Sequence, residues 1–335
     1  MARRDGACAK RGGCDRNLHP GVPPAIAHGA ADRLLSDRRL HAPSRALSLM
    51  RAVAVIPACN EADCLPGALA SLKREGLEAL VVANGCTDAT ANLARAAGAM
   101  VIETPVLQGG VGAARAIGLA AALNEGASVL FTMDADCTLA PGSAAAIWRG
   151  LGRADAVFGR VVPNASEFTA LPLAVRRHGS AEDRRNALLG LIEAAIADCP
   201  WNPFPAHGTS PGALIAWHAA AYLAVGGVAP VPCHEDRLMA AALVGGGFRV
   251  ARPWDAVVIA SCRQRGRAPS GMAHTIALRA RAGPQLIAEA FVLERECLAL
   301  ERRLSALMPR RNWPDLPSLS TKGDDDVPSF EQASV

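Results

Sequence analysis

The chain predicts an α/β fold: a mostly parallel central sheet flanked by helices, followed by a C-terminal amphipathic helix. Three observations predict it. Between Arg51 and Asp136, short apolar runs alternate with helical patterns, and Gly or Asn punctuates the junctions. Half of the 335 residues are hydrophobic and a fifth are charged, the balance of a globular chain. The segment 284–308 keeps its charges on one helical face.

The elements follow in order. "AVAVIPA" (52–58) reads as a strand ending in "CNEAD", and "LPGALASLKREG" (65–76) as a helix stopped by Gly76. "EALVVAN" (78–84) is a second strand, followed by the helix "TDATANLARAAG", which Thr87 or Asp88 can cap through a side-chain oxygen. "AMVIET" is a third strand, then come the turn "PVLQGG" and the helix "VGAARAIGLAAALNEG". "SVLFTMDAD" (128–136) is a fourth strand. Strands alternating with helices imply parallel pairing and right-handed crossovers.

Beyond Pro141 the pattern gives a helix to about Leu151, a strand "DAVFGRVV" and a helix around "AEDRRNALLGLIEAAIAD". A Pro-rich loop "CPWNPFPAHGTSPG" follows, then a strand "ALIAWH", a short helix "HEDRLMAAALVGGG" and further strand in "FRVARPWDAVVIAS". The expected organisation is a disordered basic leader (1–49), a main domain (50–274), a helical segment (275–308) and a disordered tail (309–335). Met50 directly precedes the first strand, which suggests it as the true start.

Composition excludes some functions. Residues 1–49 hold nine Lys/Arg against four Asp, which leaves 26 against 27 in the remainder, so no basic stripe for nucleic acid is expected on the folded part. No apolar run reaches the ~18 uncharged residues of a membrane span, and no signal-peptide h-region opens the chain. The ten Cys form no Cys-x-x-Cys pair and no zinc spacing. A reduced cytoplasmic setting fits best. The C-terminal helix could lie at the inner membrane face, pack on the domain or pair with a second copy as a homodimer.

The sharpest chemical signal is "TMDADC". In an extended segment Asp134 and Asp136 would project together while Ala135 points away. Two carboxylates ~4–5 Å apart repel by ~4 kcal/mol near a surface. A hard divalent cation removes that conflict and creates a phosphate site. "PACNEAD" is another strand end, with Asn60, Glu61 and Asp63 exposed there. In "ANGCTD", Asn84 can donate to and accept from a nucleobase edge, and Gly85 allows positive φ. "GGVGAARAIG" opens a helix whose free N–H groups favour an anion, and Arg115 lies one turn in, where it could reach a phosphate or a base. Its glycine spacing does not match a dinucleotide fingerprint.

"HEDRL" places Glu235 and Asp236 at a helix start, as N-terminal caps or as general bases for an attacking hydroxyl. Trp201, Phe204 and His207 suggest a stacking platform for sugars, or packing beneath their loop. "SCRQRGRAPSGMAHT" sets Arg263, Arg265 and Arg267 among glycines, a cationic loop able to close over a diphosphate, and His274 could complete a metal shell.

Together and in this order these motifs resemble the family 2 glycosyltransferases of the GT-A fold. The family pattern of Pro-x-x-Asn-Glu, Asp-Asp-Gly-Ser-Thr-Asp, Gly-x-x-x-Ala-Arg, Asp-x-Asp and Glu-Asp reads here "PACNE", "ANGCTD", "GVGAAR", "DAD" and "HEDRL". The match covers about residues 52–240, and "GRAPSGMA" looks like a bacterial subgroup of uncertain substrate. The resemblance implies a nucleotide-sugar donor, Mn2+ or Mg2+, and inverting transfer to an acceptor hydroxyl; the acceptor is not identified, a glycan and a lipid-linked molecule being open to it. It implies Asp136 on the metal, Asp134 on ribose or metal, and Asp236 as the base, with Glu235 beside it. It also implies that Pro57, Asn60 and Glu61 line the nucleotide pocket, with Asn84 and Asp88 of "ANGCTD" as one wall. Ala83-Asn84 replaces the family's Asp-Asp, so a carboxylate that commonly reads uracil is missing. The rival readings are a sugar-phosphate nucleotidyltransferase, whose cationic loop after the first strand is absent from "PACNEAD", and an inactive nucleotide-sugar-binding protein.

Overall fold

The computed structural model describes residues 50–267 and 271–319. The leader 1–49 and the tail from residue 320 lie outside them, and so do the expectations of disorder placed there. The strands are β1 (Ala52–Ala58), β2 (Glu78–Asn84), β3 (Met100–Thr104), β4 (Val129–Met133), β5 (Cys137–Leu139), β6 (Ala156–Phe158), β7 (Arg160–Pro163), β8 (Leu214–His218), β9 (Val250–Ala251) and β10 (Val257–Ala260). Seven of them form one sheet in the order β3-β2-β1-β4-β8-β6-β9, and β5-β10-β7 form a smaller one.

Alternation along β1 explains the layers. Ala54, Ile56 and Ala58 face one core, while Val53 and Val55 face the other. The first core is closed by α1 (Leu65–Arg74) and α4 (Ser143–Leu151), through Leu65, Leu69, Leu72, Ile147 and Leu151. The second is closed by α3 (Gly110–Asn124) and α8 (Glu235–Gly245), through Leu119, Met239 and Leu243. Between them in sequence lie α2 (Thr90–Ala96), α5 (Ala165–Thr169), α6 (Leu173–Ala197) and α7 (Ala219–Ala224).

The order β3-β2-β1-β4, all parallel, puts a topological switch point between β1 and β4. Ligands of open α/β sheets bind at the carboxyl ends of strands there. The β1–β4 ladder stops at Val55↔Thr132, before Pro57, which has no N–H to extend it. The strand ends can therefore part.

The second half is less regular than the alternation suggested. β8 runs antiparallel to both β4 and β6. "DAVFGRVV" is not one strand but two, broken at Gly159, where an added Cβ would meet the Leu214 side chain at 2.4 Å. β7 then leaves for the small sheet, where β10 pairs parallel with it and antiparallel with β5.

The C-terminal helices are α9 (Met272–Ala282) and α10 (Pro284–Leu307). Of the three placements open to the long helix, packing on the domain is the one seen. Its acidic residues meet α6 in the ion pairs Arg177–Glu294 (2.8 Å), Arg184–Glu301 (2.7 Å) and Arg185–Glu296, over a shared apolar seam of Leu188, Leu191, Cys297 and Leu304. Residues 310–319, which the sequence assigned to the tail, begin with a 3-10 turn, and Trp313 and Leu316 pack on that seam. No helix among the described residues is long and apolar enough to cross a membrane.

Candidate active site

The carboxyl ends of β1 and β4 carry most of the expected residues. Asp134, Ala135 and Asp136 are not extended, as the sequence suggested. They form a turn closed by Cys137 N–H donating to the Asp134 carbonyl (3.2 Å). The turn still turns Ala135 inward and gathers the two carboxylates. Ligand atoms of Asp134, Asp136 and Cys137 lie within 4.8 Å of one another, the one such group among the described residues. Burial, and after it the neighbouring charge of Asp134, push the Asp136 carboxyl up to about 6, with Arg263 pulling the other way. Burial also holds the Cys137 thiol well above its ordinary value. It remains a thiol, placed to donate to Asp136 Oδ1 (3.7 Å), and is no match for a hard cation.

His274 does not join this group; it is exposed on the first turn of α9. The hydrophilic pattern of its loop gave no information about which way that helix would face.

Arg115 is buried, which excludes the phosphate or base contact expected of it. Its guanidinium binds Asp134 and Glu235 and donates to the Gly212 carbonyl (3.0 Å). Burial works against its charge, but Asp134, Glu235 and Asp236 outweigh burial and hold the pKa above the ordinary value. Glu235 is thereby enclosed beneath α8, while Asp236, the next residue, stays partly exposed. Asp236 Oδ2 accepts from Gly212 N–H (2.8 Å), so the peptide around Gly212 links the buried guanidinium to the candidate base. An added Cβ on Gly212 would lie 2.8 Å from Arg115 Nη1. Gly212 was missed from the sequence, where a lone Gly before a strand carries little signal.

The N-terminus of α3 is not open to an anion either. Gly112 N–H donates to the Val231 carbonyl (3.1 Å), and a Cβ there would meet the Val231 and Ala229 carbonyl oxygens at 2.4 and 2.5 Å. The glycines of "GGVG" admit the backbone of residues 229–232, which delivers the start of α8 to Arg115. His234, just before Glu235, has φ of +64°, and Asn60, just after β1, has φ of +54°. Both residue types tolerate that region better than most.

On the β1 side, Pro57 is buried opposite Val82 and shapes the strand end rather than presenting a surface. Asn60 Oδ1 accepts from the N–H groups of Thr87 (2.8 Å) and Asp88 (3.3 Å). Asp88 accepts from Thr90 N–H (3.0 Å), Thr90 Oγ1 (2.6 Å) and Ala62 N–H (3.1 Å). Desolvation opposes these hydrogen bonds, but they hold its pKa below the ordinary value. Asn84 Oδ1 accepts from Leu107 N–H (2.9 Å), so its acceptor is already engaged. Gly85 has φ of +60° and lies against Val106, where a Cβ would come within 2.4 Å. These residues bring the loops after β1, β2 and β3 together at one edge.

Glu61 is buried and paired with Arg263, whose Nη1 and Nη2 donate to its two oxygens (2.6 and 2.7 Å). Nη2 also meets Asp136 Oδ2 at 2.8 Å. Arg267 reaches the Asn60 carbonyl and lies 4.0 Å from Glu61. The aromatic loop divides its duties. His207 is buried between the Phe158 carbonyl (3.0 Å) and Thr209 Oγ1 (3.1 Å), with its pKa pushed down to about 3 by burial, so it is a neutral structural residue. Trp201 and Phe204, with Trp254 and Arg149, line a cavity of about 300 Å3 beside α4.

The β3-β2-β1-β4 sheet with carboxylates crowded at its switch point agrees with the GT-A architecture that the motifs implied. Residues 53–205, a little under half of the chain, match the family model described as Glycosyl transferase family 2. A comparison with curated proteins gives no match. Among solved structures the chain is similar to a mannosyltransferase from Pyrobaculum calidifontis in complex with GDP-Man and Mn2+ (19% identity over 84% of this chain and 88% of that one, TM-score 0.43). It is also similar to S. aureus TarS 1-349 in complex with UDP-GlcNAc (15% identity, 75% and 72%, TM-score 0.46). A third is glucosyl-3-phosphoglycerate synthase from Mycobacterium tuberculosis in complex with Mn2+, UDP and phosphoglyceric acid (21% identity, 76% and 81%, TM-score 0.45). At these identities and scores the likenesses bear on neither donor nor acceptor.

Proposed function

We propose that this glycosyltransferase moves a sugar from a nucleoside-diphosphate donor to an acceptor hydroxyl with inversion, using Mn2+ or Mg2+. One observation carries the reading. Arg115 ties Asp134 of the carboxylate pair to Glu235, the neighbour of Asp236, so the leaving-group end and the base end share one rigid frame.

The donor set fits a hard cation. Asp134 and Asp136 offer oxygens, Asp136 is destabilised as a carboxylate by its neighbour, and Glu61 adds negative charge nearby. These are the conditions a divalent ion relieves. When bound, the ion supplies charge stabilisation for the departing diphosphate. The chain does the rest. Asp134 and Asp136 hold the ion at the switch point, and the loops after β1 and β2 wall the nucleotide. Gly212 N–H orients the Asp236 carboxylate, whose partly exposed face takes the acceptor proton as the hydroxyl attacks. Arg115 and Glu235 keep that geometry fixed without touching substrate. The acceptor hydroxyl is not identified, a glycan and a lipid-linked molecule both being open to it, and no helix among the described residues is long and apolar enough to cross a membrane.

The test is transfer or hydrolysis of a panel of nucleotide sugars by purified protein, with Mn2+ and with excess chelator. Asp236→Asn is expected to lower kcat by about 10²–10⁴-fold with little change in donor affinity. Chelator should lower donor affinity as well as turnover. Donor binding that is indifferent to chelator would overturn the metal assignment, and an unaffected Asp236→Asn would remove the base.

A further inference from the structure

Arg263 takes the place of a cation. Its Nη2 stands between Glu61 Oε1 (2.7 Å) and Asp136 Oδ2 (2.8 Å), and its Nη1 completes a bidentate grip on Glu61 (2.6 Å). Its Nε is buried without a hydrogen bond, so the side chain is committed to these two carboxylates. The placement is built into the fold. β10 pairs antiparallel with β5, ending at Ala260↔Cys137, and the pairing continues as Ser261 N–H donates to the Asp136 carbonyl (3.1 Å). Glu167 then fixes the next turn, accepting from Ser261 Oγ (2.7 Å) and Cys262 N–H (2.6 Å). That register carries residue 263 back along the strand direction to the Asp134–Asp136 turn.

The oxygens left for a metal are few. Asp136 Oδ2 is held by Arg263, Asp136 Oδ1 faces the Cys137 thiol, and Asp134 Oδ1 is held by Arg115. A divalent ion on Asp136 would stand beside a like-charged guanidinium in a half-buried site, where repulsion is only partly screened.

We propose that Arg263 is a resident counter-ion that excludes the metal from the empty site, so that the ion enters together with a nucleoside diphosphate. The diphosphate is the anion that gives the displaced guanidinium a new partner. Charge in the site then stays near balance in both states: guanidinium on carboxylates before binding, metal on carboxylates and guanidinium on phosphate after it. Arg263 is a positioning residue in this scheme, and the scheme rests on the metal reading above.

The experiment is titration of the full chain with Mn2+ alone, followed by calorimetry or electron paramagnetic resonance, for the natural protein, Arg263→Gln, Arg263→Lys and Arg265→Gln. Arg265 is exposed in the same loop, so its loss removes the same charge without touching the carboxylates. Arg263→Gln should bind Mn2+ at least tenfold tighter, Arg263→Lys should fall between, and Arg265→Gln should match the natural protein. Addition of UDP or GDP should tighten Mn2+ binding in the natural protein far more than in Arg263→Gln. No gain in Arg263→Gln, or an equal gain in Arg265→Gln, would overturn the exclusion while leaving the metal site standing. Failure of every variant to bind Mn2+ even with UDP or GDP would remove the metal site, and this inference with it. Far-UV circular dichroism of each variant checks that the fold persists.

Discussion

Two arginines hold the acidic cleft, and they hold it differently. Arg115 lies on a helix with its side chain 3% exposed and its partner Glu235 6% exposed. Arg263 lies on a loop with its side chain 23% exposed, between Glu61 at 7% and Asp136 at 24%. Removing one member of a buried pair leaves a charge with no solvent to turn to, whereas a guanidinium and a carboxylate that water still reaches can exchange partners at lower cost. Under the proposal above, the same residue type is a frame in one place and a movable ion in the other, and access of water separates the two.

The largest effect should come from breaking the frame. Arg115→Leu is expected to cost about 3–5 kcal/mol of stability, and Arg263→Gln less, because water reaches the guanidinium and Asp136 even though Glu61 is buried. Urea denaturation of metal-free protein compares them directly. Equal losses would erase the distinction. A smaller effect should come from the glycine that lets the frame close. Gly112→Ala forces a methyl against two carbonyl oxygens and is expected to cost about 1–3 kcal/mol. Because the displaced segment 229–232 leads into Asp236, turnover should fall in the same variant, and a folded, fully active Gly112→Ala would show that the approach is slack.

The smallest effect concerns the movable side. Asp136 titrates at about 6 in the fold against an ordinary value of 3.8. Between those values the native state holds the extra proton, so metal-free stability should fall as pH rises from about 4 to 6. Metal binding needs the carboxylate, so Mn2+ affinity should weaken by about tenfold per pH unit below 6. Calorimetric titration between pH 5 and 7 reads this, and a flat profile would place the metal away from Asp136.

Much of the first half was legible. Strands 52–58 and 78–84 and the helix after "GGVG" follow from local apolar periodicity, which needs no knowledge of neighbours. The positive φ at Gly85 was legible too, because an Asn-Gly turn demands it locally. By contrast, "GGVG" reads equally well as an anion cradle and as room for a neighbouring backbone, and only the position of residues 229–232 chooses between them. "HEDRL" shows two acids at a helix start, yet nothing local says that Glu235 meets Arg115 while Asp236 stays partly open. The pair Asp134 and Asp136 converges through a turn, not a pleat, since the strand stops at Met133.

The sequence by itself determined the β-α alternation, the acidic character of the strand ends and the family these motifs resemble, because each is written in residues close along the chain. The tertiary structure alone decided the antiparallel β8, the enclosure of Arg115 with Glu235, the link through Gly212 to Asp236 and the seat of Arg263 on Glu61 and Asp136. Those contacts join segments up to about two hundred residues apart, and their strength depends on how far packing has removed each charge from water.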